Sequence, residues 1–396
     1  MNGDAKRYIK FVAFKQVFLR ECKRYLKDPI YLFAMFIAPV FCYVLFTTLM
    51  YSGSPKKFPA GVVLEDNSKT ARQIVRNLNA FGETNVVAHY PDIVSATRDM
   101  QRGKIYGFFF IPRHMSKDVN AQRQPRVSFY TNNSIMLAGS LMYKDFRMMG
   151  ELSSAAAQRQ VLYGHGMTEK QSLAYLQPIV IDAHPIGNPW INYAIYLNNI
   201  LLPGIMMMMI FLITAYAIGV EIKDRTAREW LHLGNDSIFI SIYAKLLPQT
   251  IIFTLMGVLY NVYLYGYLHY PCNSGIFPML VAMLCLVLAS QSVGVIFISA
   301  FPTLRFGLSL ATLWGVVSFS ISGFNFPEIA MNPMLRALAN LFPLRHYYLI
   351  YVDQALIGYP MVYSWTSYLA LLLFLLVPYF LIHRLKKALI YYNYIP

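Results

Sequence analysis

One short segment of this sequence, residues 219–237, concentrates the side chains that could do chemistry or bind another protein. It reads GVEIKDRTAREWLHLGNDS, and seven of its nineteen residues are Asp, Glu, Lys or Arg in a chain that is only 13% charged. Trp230 adds an aromatic anchor of the kind that protein interfaces use. The segment predicts an amphipathic helix at 221–237 that docks into a partner; an ordinary charged loop is the alternative. Three acid–base pairs have the spacing that stabilises such a helix: Glu221 with Arg225, Asp224 with Arg228, and Arg225 with Glu229.

Catalysis has little support in the sequence. His232 with Asp236, and His346 with Asp353, are the only candidate acid–base clusters. The chain contains no G-x-x-x-x-G-K-[ST] motif with which to bind ATP, and the large insert between its first two apolar segments has neither zinc-ligand spacing nor a G-x-S-x-G motif. We therefore expect no catalytic residue, metal or cofactor on this chain, and we expect any energy for transport to come from another chain.

The composition predicts the elements that position the charged segment. The chain is 57% hydrophobic, with a mean hydropathy of +0.42. Six apolar segments reach the ~20 residues that a helix needs to cross a hydrocarbon layer. Their lack of ionisable side chains argues against a transporter driven by protons or sodium ions. The predicted spans are 29–50, 190–220, 238–268 (free of charge from 246), 276–301, 306–326 and 361–382.

The basic net charge of +15 follows the predicted topology and does not indicate nucleic-acid binding. Eight lysines and arginines precede the first span, and more follow in the charged segment and at the C-terminus. The short connections on the opposite side, 269–275 and 327–360, carry only Arg336 and Arg345. By the positive-inside rule, both termini are therefore expected in the cytoplasm.

The remaining segments complete a predicted polytopic α-helical membrane protein with six transmembrane helices and an extracytoplasmic α/β (α+β) domain between helices 1 and 2. Residues 1–28 predict a basic amphipathic helix along the inner leaflet. Residues 51–189 alternate strand and helix patterns, as in a small α/β domain. Residues 327–360 predict short re-entrant helices at the outer interface, and 383–396 a cytoplasmic tail. The apolar stripe expected on the first helix is Phe11, Phe14, Phe18, Cys22 and Tyr25.

Polar residues in two of the spans predict a substrate path. In the fifth span, Ser318, Ser322 and Asn325 recur at helical spacing on an otherwise apolar helix. In the second span, Asn198 and Asn199 lie near the outer end. These residues are expected to line a cavity for a hydrophobic or amphiphilic substrate. The alternative is that they join helices to one another, as small and hydroxyl-bearing residues commonly do in membranes.

The order of these features resembles the type-2 ABC transporter permeases (the ABC-2 family), and in particular exporters with a large extracytoplasmic domain between the first two spans. GVVLEDNSKTARQIVRNL resembles the opening of that domain, and RGKIYGFFFIPRHMSKDV its strand-and-helix signature. NPWINYAIYLNNILLPGIM resembles the start of the second span, and SGFNFPEIAMNPMLRALANLFPLRHY the segment between spans five and six. The charged segment resembles the family's E-x-x-x-x-T-x-x-x-L loop, with the leucine shifted by one and without the family's glycine in DRTAREWL.

This resemblance implies a permease half in a bacterial inner membrane. A second permease copy, identical or different, would complete the pathway, and each half would receive one ATP-binding cassette subunit carrying the ATP and Mg. The charged segment would be the coupling helix, with Glu221, Arg225, Arg228 and Trp230 as its ATPase-coupling residues. Export of a drug, lipid or similar compound by alternating access is the implied activity.

Other functions remain open at this level. The chain could instead be a membrane-anchored sensor or scaffold whose external domain binds an envelope ligand or protein without transport. Polysaccharide export shares the number of spans, but the 139-residue insert at 51–189 argues against it. In a cell with two membranes, the insert's long helix at 134–162 could contact a periplasmic adaptor or an outer-membrane channel, or could pack on its own domain.

Overall fold

The computed structural model describes residues 3–121 and 123–391 and divides the chain into two compact units. The helical unit comprises Met1–Gly53 and Pro185–Pro396, and the insert comprises Ser54–His184. The last five residues of the predicted tail, and the first two of the predicted N-terminal helix, lie outside the described residues.

Within the described residues, the helical unit contains six helices that are long and apolar enough to cross a membrane, which confirms a polytopic helical membrane protein. An N-terminal helix, Gly3–Lys27, precedes them. Asp28 caps the first span by accepting a hydrogen bond from the backbone N–H of Ile30 at 3.0 Å, and Pro29 occupies the first helical position, where its missing N–H is tolerated. The spans are Pro29–Leu49 (span 1), Tyr193–Lys223 (span 2), Ile238–Tyr267 (span 3), Ile276–Ala300 (span 4), Leu304–Ile321 (span 5) and Met361–Tyr391 (span 6).

Two span boundaries differ from the prediction at residues of the predicted sites. Span 2 continues to Lys223, three residues beyond the predicted end, so that Glu221 belongs to the membrane helix. Span 5 ends at Ile321, because the chain turns at Gly323 with a φ of +100°. Asn325 consequently lies beyond the helix on which it was predicted.

Short helices connect the spans. The connecting helix, Ala227–Leu233, lies between spans 2 and 3. Between spans 5 and 6 come a 3-10 turn at Glu328–Ala330 and the helices Pro333–Ala339 and Pro343–Tyr351, the last of which continues as a π-helix, Val352–Ile357.

The insert is an α/β domain around a four-stranded sheet. Its strands are β1 (Phe58–Leu64), β2 (Thr84–Tyr90), β3 (Gly107–Ile111) and β4 (Ser128–Thr131), in the order β2-β1-β3-β4. β1 is parallel to β2 and β3, and β4 is antiparallel to β3. The alternation of strands and helices in the sequence leads to these parallel pairs, because parallel neighbours need a crossover connection. Its helices are Lys69–Asn79, Ile93–Gln101, Met115–Asn120, Met136–Gly164 and Glu169–Leu176.

Helices cover both faces of this sheet. Ile74, Leu78 and Phe146 pack with Val62 and other residues of one face. On the opposite face, Ala96 packs with Val63 and Phe108. Burial of alternate residues of β1 on opposite sides of the sheet follows from the two-residue period of a strand.

Candidate coupling site

Five charged side chains from three separate helices meet at one end of the helical unit. We call Arg20, Glu21, Arg24, Glu221 and Lys245 the charge cluster. Glu221 accepts hydrogen bonds from Arg20 (Nη1 at 2.8 Å and Nη2 at 3.0 Å), from Arg24 (2.6 Å), from Lys245 (2.9 Å) and from the hydroxyl of Thr226. Glu21 pairs with Arg20 and with Lys245, both at 2.8 Å. The cluster therefore joins the N-terminal helix to spans 2 and 3.

The charge cluster lies inside the protein. The side chains of Glu21, Glu221 and Lys245 have 0% exposure, whereas those of Arg20 and Arg24 keep 26% and 21%. Because burial removes water from these charges, each depends on its partners, and removing one partner of a buried pair typically destabilises a protein by about 3–5 kcal/mol. The cluster is therefore a fixed joint between helices and not a flexible surface contact.

The two arginines remain charged in this setting. Burial by itself lowers the pKa of the Arg20 guanidinium, but the hydrogen bond to Glu221 and the charge of that carboxylate outweigh burial and raise the pKa above its ordinary value. Burial also lowers the pKa of Arg24, but the negative charge of Glu221 outweighs burial, so that the pKa is raised above its ordinary value. The N-terminal helix therefore holds two permanent positive charges against the end of span 2.

Uncharged hydrogen bonds reinforce the joint. The Tyr25 hydroxyl donates to the backbone carbonyl of Lys245 at 3.0 Å and accepts from Gln249 Nε2 at 2.9 Å. Gln249 in turn accepts from the hydroxyl of Thr214 in span 2 at 3.2 Å. The buried face of the N-terminal helix repeats every four residues and differs from the predicted stripe, in which Phe11 is in fact exposed. This buried face consists of Ala13, Val17, Glu21 and Tyr25.

The connecting helix packs directly against this joint. Trp230 is fully buried, and Lys245 Nζ lies 4.7 Å from the centre of its ring, within range of a cation–π interaction. Trp230 and Leu231 belong to one apolar cluster with Val17 of the N-terminal helix and Leu385 of span 6. Movement of the connecting helix would therefore be transmitted to the helices around it.

The charged segment does not form the single helix that the sequence predicted. The chain breaks after span 2 with a left-handed residue, Arg225, at a φ of 60°. This break separates Glu221 from the connecting helix, and none of the three predicted ion pairs forms among the residues that the structure describes. Glu221 instead pairs with the N-terminal helix and span 3.

Two of the four predicted coupling residues are therefore not at the surface. The expectation that Glu221 and Trp230 contact a partner needs correction, because both side chains are fully buried within this chain. Arg225 and Arg228 are exposed, and Arg228 donates to the backbone carbonyl of Ile390 from Nε at 3.0 Å and from Nη2 at 2.8 Å. The exposed members of the predicted set are thus Arg225, before the connecting helix, and Arg228, on its outer face.

Sequence reasoning missed Glu21 and Lys245. Glu21 lies four residues after Val17 and four before Tyr25, and an acid on the apolar face of an amphipathic helix is a signal of a buried partner. Lys245 directly precedes the charge-free part of span 3, where a positive-inside interpretation places it at the membrane surface. Its burial depends on two carboxylates that are distant in sequence.

The predicted substrate-path residues form hydrogen bonds with neighbouring groups of the same chain. Asn198 Nδ2 donates to the Tyr270 hydroxyl at 3.1 Å, and the Tyr265 hydroxyl donates to Asn199 Oδ1 at 2.9 Å. Ser318 donates to the backbone carbonyls of Trp314 (3.2 Å) and Gly315 (3.1 Å) in its own helix.

Ser322 and Asn325, the other two predicted path residues of span 5, do not form a continuous polar face with Ser318. Ser322 donates to the carbonyl of Phe319 at 3.2 Å, whereas Asn325 is exposed beyond the end of span 5. Two cavities of the helical unit, of about 340 Å³ and about 560 Å³, are lined by none of the five predicted path residues. In this conformation the contacts of Asn198 and Asn199 match the alternative, in which such residues join helices to one another, whereas both serines donate to carbonyls of span 5 itself.

The fold defines the class of protein. Six apolar helices make the chain a multi-pass membrane protein, and within residues 3–121 and 123–391 no group of three His, Cys, Asp or Glu side chains is placed to hold a metal ion. A family comparison matches residues 29–383 to the ABC-2 family transporter protein, and the chain belongs to that family. It is thus a membrane-spanning permease component of an ABC transporter, a transport subunit that works with an ATP-binding cassette partner. No curated protein matches the chain.

Proposed function

We propose that this chain is the permease half of an ATP-driven exporter that moves a hydrophobic or amphiphilic substrate, such as a drug or lipid, across the bacterial inner membrane. The charge cluster carries the proposal. It ties the N-terminal helix to spans 2 and 3 directly beside the connecting helix. A protein that only anchors an external domain has no need of a largely buried charged joint behind a helix with exposed charges.

The proposed mechanism is alternating access. ATP and Mg bind on the separate cassette subunit, whose closure presses on Arg225, just before the connecting helix, and on Arg228 and Glu229 of that helix's outer face. Because Trp230 is packed against Lys245, the connecting helix and the cluster move as one body. Differential contact with the cassette subunit in its two states shifts the spans between inward-open and outward-open arrangements.

Assembly and topology follow the family pattern in this proposal. Two permease copies, identical or different, form the pathway, and both termini face the cytoplasm. The insert then faces the periplasm, where an adaptor or outer-membrane channel is a candidate partner. The apolar cavity of about 340 Å³ between the N-terminal helix and spans 3, 4 and 6 supports an apolar substrate or lipid partner.

Recovery of the cassette subunit with the tagged chain tests the proposal. We expect the parent to bring down an ATP-binding protein from native membranes, and Arg225→Glu/Arg228→Glu to lose it, because both side chains are exposed and the change reverses two charges at the docking face. Arg72→Glu/Arg76→Glu, on an exposed helix face of the insert, is the matched control and retains the partner.

The competing function is a sensor or scaffold. If the folded parent brings down no ATPase, the sensor is favoured. If both double variants retain an ATPase equally, the docking surface does not include Arg225 and Arg228, and the coupling part of the proposal fails. ATP turnover stimulated by a transported compound separates the two functions independently.

A further inference from the structure

A second group of charges lies in the connection between spans 5 and 6. Glu328 accepts a hydrogen bond from Arg336 Nε at 2.6 Å with one oxygen, and Arg345 Nη2 lies 2.7 Å from its other oxygen. One carboxylate therefore serves two guanidinium groups, which leaves one positive charge without a matching negative charge at this site.

The two arginines differ sharply in their surroundings. The Arg336 side chain is 57% exposed, so water satisfies its remaining donors, whereas that of Arg345 is only 6% exposed. Arg345 Nε donates to Asn340 Oδ1 at 3.2 Å, but its Nη1 is buried and has no hydrogen-bond partner among the described residues. Because a buried donor left unpaired is costly, and more so when charged, this group favours an additional acceptor.

Arg345 lines a cavity large enough for such an acceptor. The cavity has a volume of about 560 Å³, within the roughly 300–1,000 Å³ of typical ligand sites. Asn340 and His346 line it together with Arg345, and Thr366 and Ser367 add hydroxyl-bearing side chains from the beginning of span 6.

The rest of the cavity is apolar. Leu373, Phe374 and Val377 follow further along span 6, and Leu349 lines it from the helix that carries Arg345. At a rise of about 1.5 Å per residue, Val377 lies roughly 16 Å along the span from Thr366. The cavity wall thus changes from polar to apolar along the direction in which a lipid changes from headgroup to acyl chain.

We propose that this cavity binds an anionic phospholipid. The phosphate lies at Arg345, where a rotation of the guanidinium turns the buried, unpaired Nη1 towards it, and an acyl chain lies along Leu373, Phe374 and Val377. On the predicted topology this is a site in the outer leaflet. The apolar wall favours a lipid headgroup over a free phosphate ion, which needs no such surface. The site requires that the spans lie in a membrane, but it does not depend on the cassette subunit.

Lipid retention measures this site directly. The full chain is placed in nanodiscs of equal amounts of dioleoylphosphatidylglycerol and dioleoylphosphatidylcholine. The protein is then released from the nanodiscs, and the lipids that stay bound to it are counted by native mass spectrometry. We expect the parent to retain phosphatidylglycerol preferentially, and Arg345→Gln to bind it about tenfold more weakly, because a hydrogen bond to a charged group is lost. Arg336→Gln is the matched control: it removes the same charge and the same Glu328 partner, but it leaves the cavity intact.

A second variant distinguishes loss of the lipid site from misfolding of the Arg345→Gln protein. Ala370→Phe fills the cavity from span 6 without changing any charge, and we expect it also to lose preferential phosphatidylglycerol retention. Equal retention by Arg345→Gln and the parent would overturn the proposal, as would equal losses in both arginine variants, which would indicate a general charge effect. Binding of inorganic phosphate through Arg345 without any preference for phosphatidylglycerol would also overturn it, and would identify a free-anion site.

Discussion

Replacement of Lys245 by methionine tests the charge cluster most directly. Lys245→Met keeps the length of the side chain but removes the ammonium group that pairs with Glu21 at 2.8 Å and Glu221 at 2.9 Å. The interaction with the Trp230 ring, at 4.7 Å, is lost as well. Because Glu21 and Glu221 are fully buried, water cannot replace the lost partner without opening the packing between helices.

The expected loss is large. Hydrogen bonds to charged groups contribute about 1.5–3 kcal/mol each, and breaking a buried ion pair costs about 3–5 kcal/mol, so Lys245→Met should lower the free energy of unfolding by about 3–5 kcal/mol. For a unit of this size the midpoint of thermal unfolding should fall by roughly 10 °C. Lys23→Met, an exposed lysine of the N-terminal helix, is the control and should change stability by less than about 0.5 kcal/mol.

A double-mutant cycle separates pairing from packing. Glu21→Gln in the Lys245→Met background removes one of the two carboxylates that the lysine neutralised, so the double variant should be more stable than the sum of the single losses predicts. Thermal unfolding of the purified chain in one detergent measures all four proteins. Additive losses, or a Lys245→Met protein as stable as the parent, would refute the argument that these buried charges depend on one another.

Two further predictions concern a close contact and a carboxylate. Gly234→Ala should destabilise the chain by about 1–3 kcal/mol in the same thermal assay, because the added Cβ would meet the Ser241 hydroxyl; Gly234→Ala/Ser241→Ala should recover part of the loss, and no recovery would contradict this cause. In the insert, partial burial raises the pKa of Asp66, but hydrogen bonds from the backbone N–H groups of Ser116 (2.8 Å) and Ser68 (2.9 Å) outweigh it and lower the pKa below its ordinary value. Its stabilising contribution is therefore present above the unfolded pKa of about 3.9 and is lost as the pH falls through the lower folded pKa. Hydrogen exchange of the β1 and β3 amides, corrected for intrinsic rates, should show this loss in the parent and a weaker pH dependence in Asp66→Asn; an unchanged dependence would exclude Asp66 as the cause.

The candidate coupling site shows how much of this structure a local sequence pattern predicts. The sequence identified the charged segment, and Arg225 and Arg228 are exposed there. It assigned the ion pairs by helical spacing, but the left-handed residue Arg225 interrupts the helix, so that pairs four residues apart no longer share a face. Local spacing could not reveal that Glu221 has partners about 200 residues away, such as Arg20.

The predicted substrate path also depends on spacing alone. Spacing alone placed Ser318, Ser322 and Asn325 on one stripe, but it does not indicate whether a hydroxyl faces a cavity or donates to its own helix. Ser318 donates to carbonyls three and four residues earlier in the chain, which a serine in a helix can do in any surroundings. Asn325 was placed on the helix because the turn at Gly323 was not recognised.

The sequence by itself determined the six apolar spans and the alternation of strands and helices in the insert. Each depends on the composition or periodicity of neighbouring residues, which decide how a segment is solvated and which backbone conformation it adopts. Only the tertiary structure decided that Glu21, Glu221 and Lys245 are buried together and that Arg345 lines a cavity. Those outcomes depend on how helices rotate and approach one another, and the free energy of a buried charge is set by partners that the local sequence does not contain.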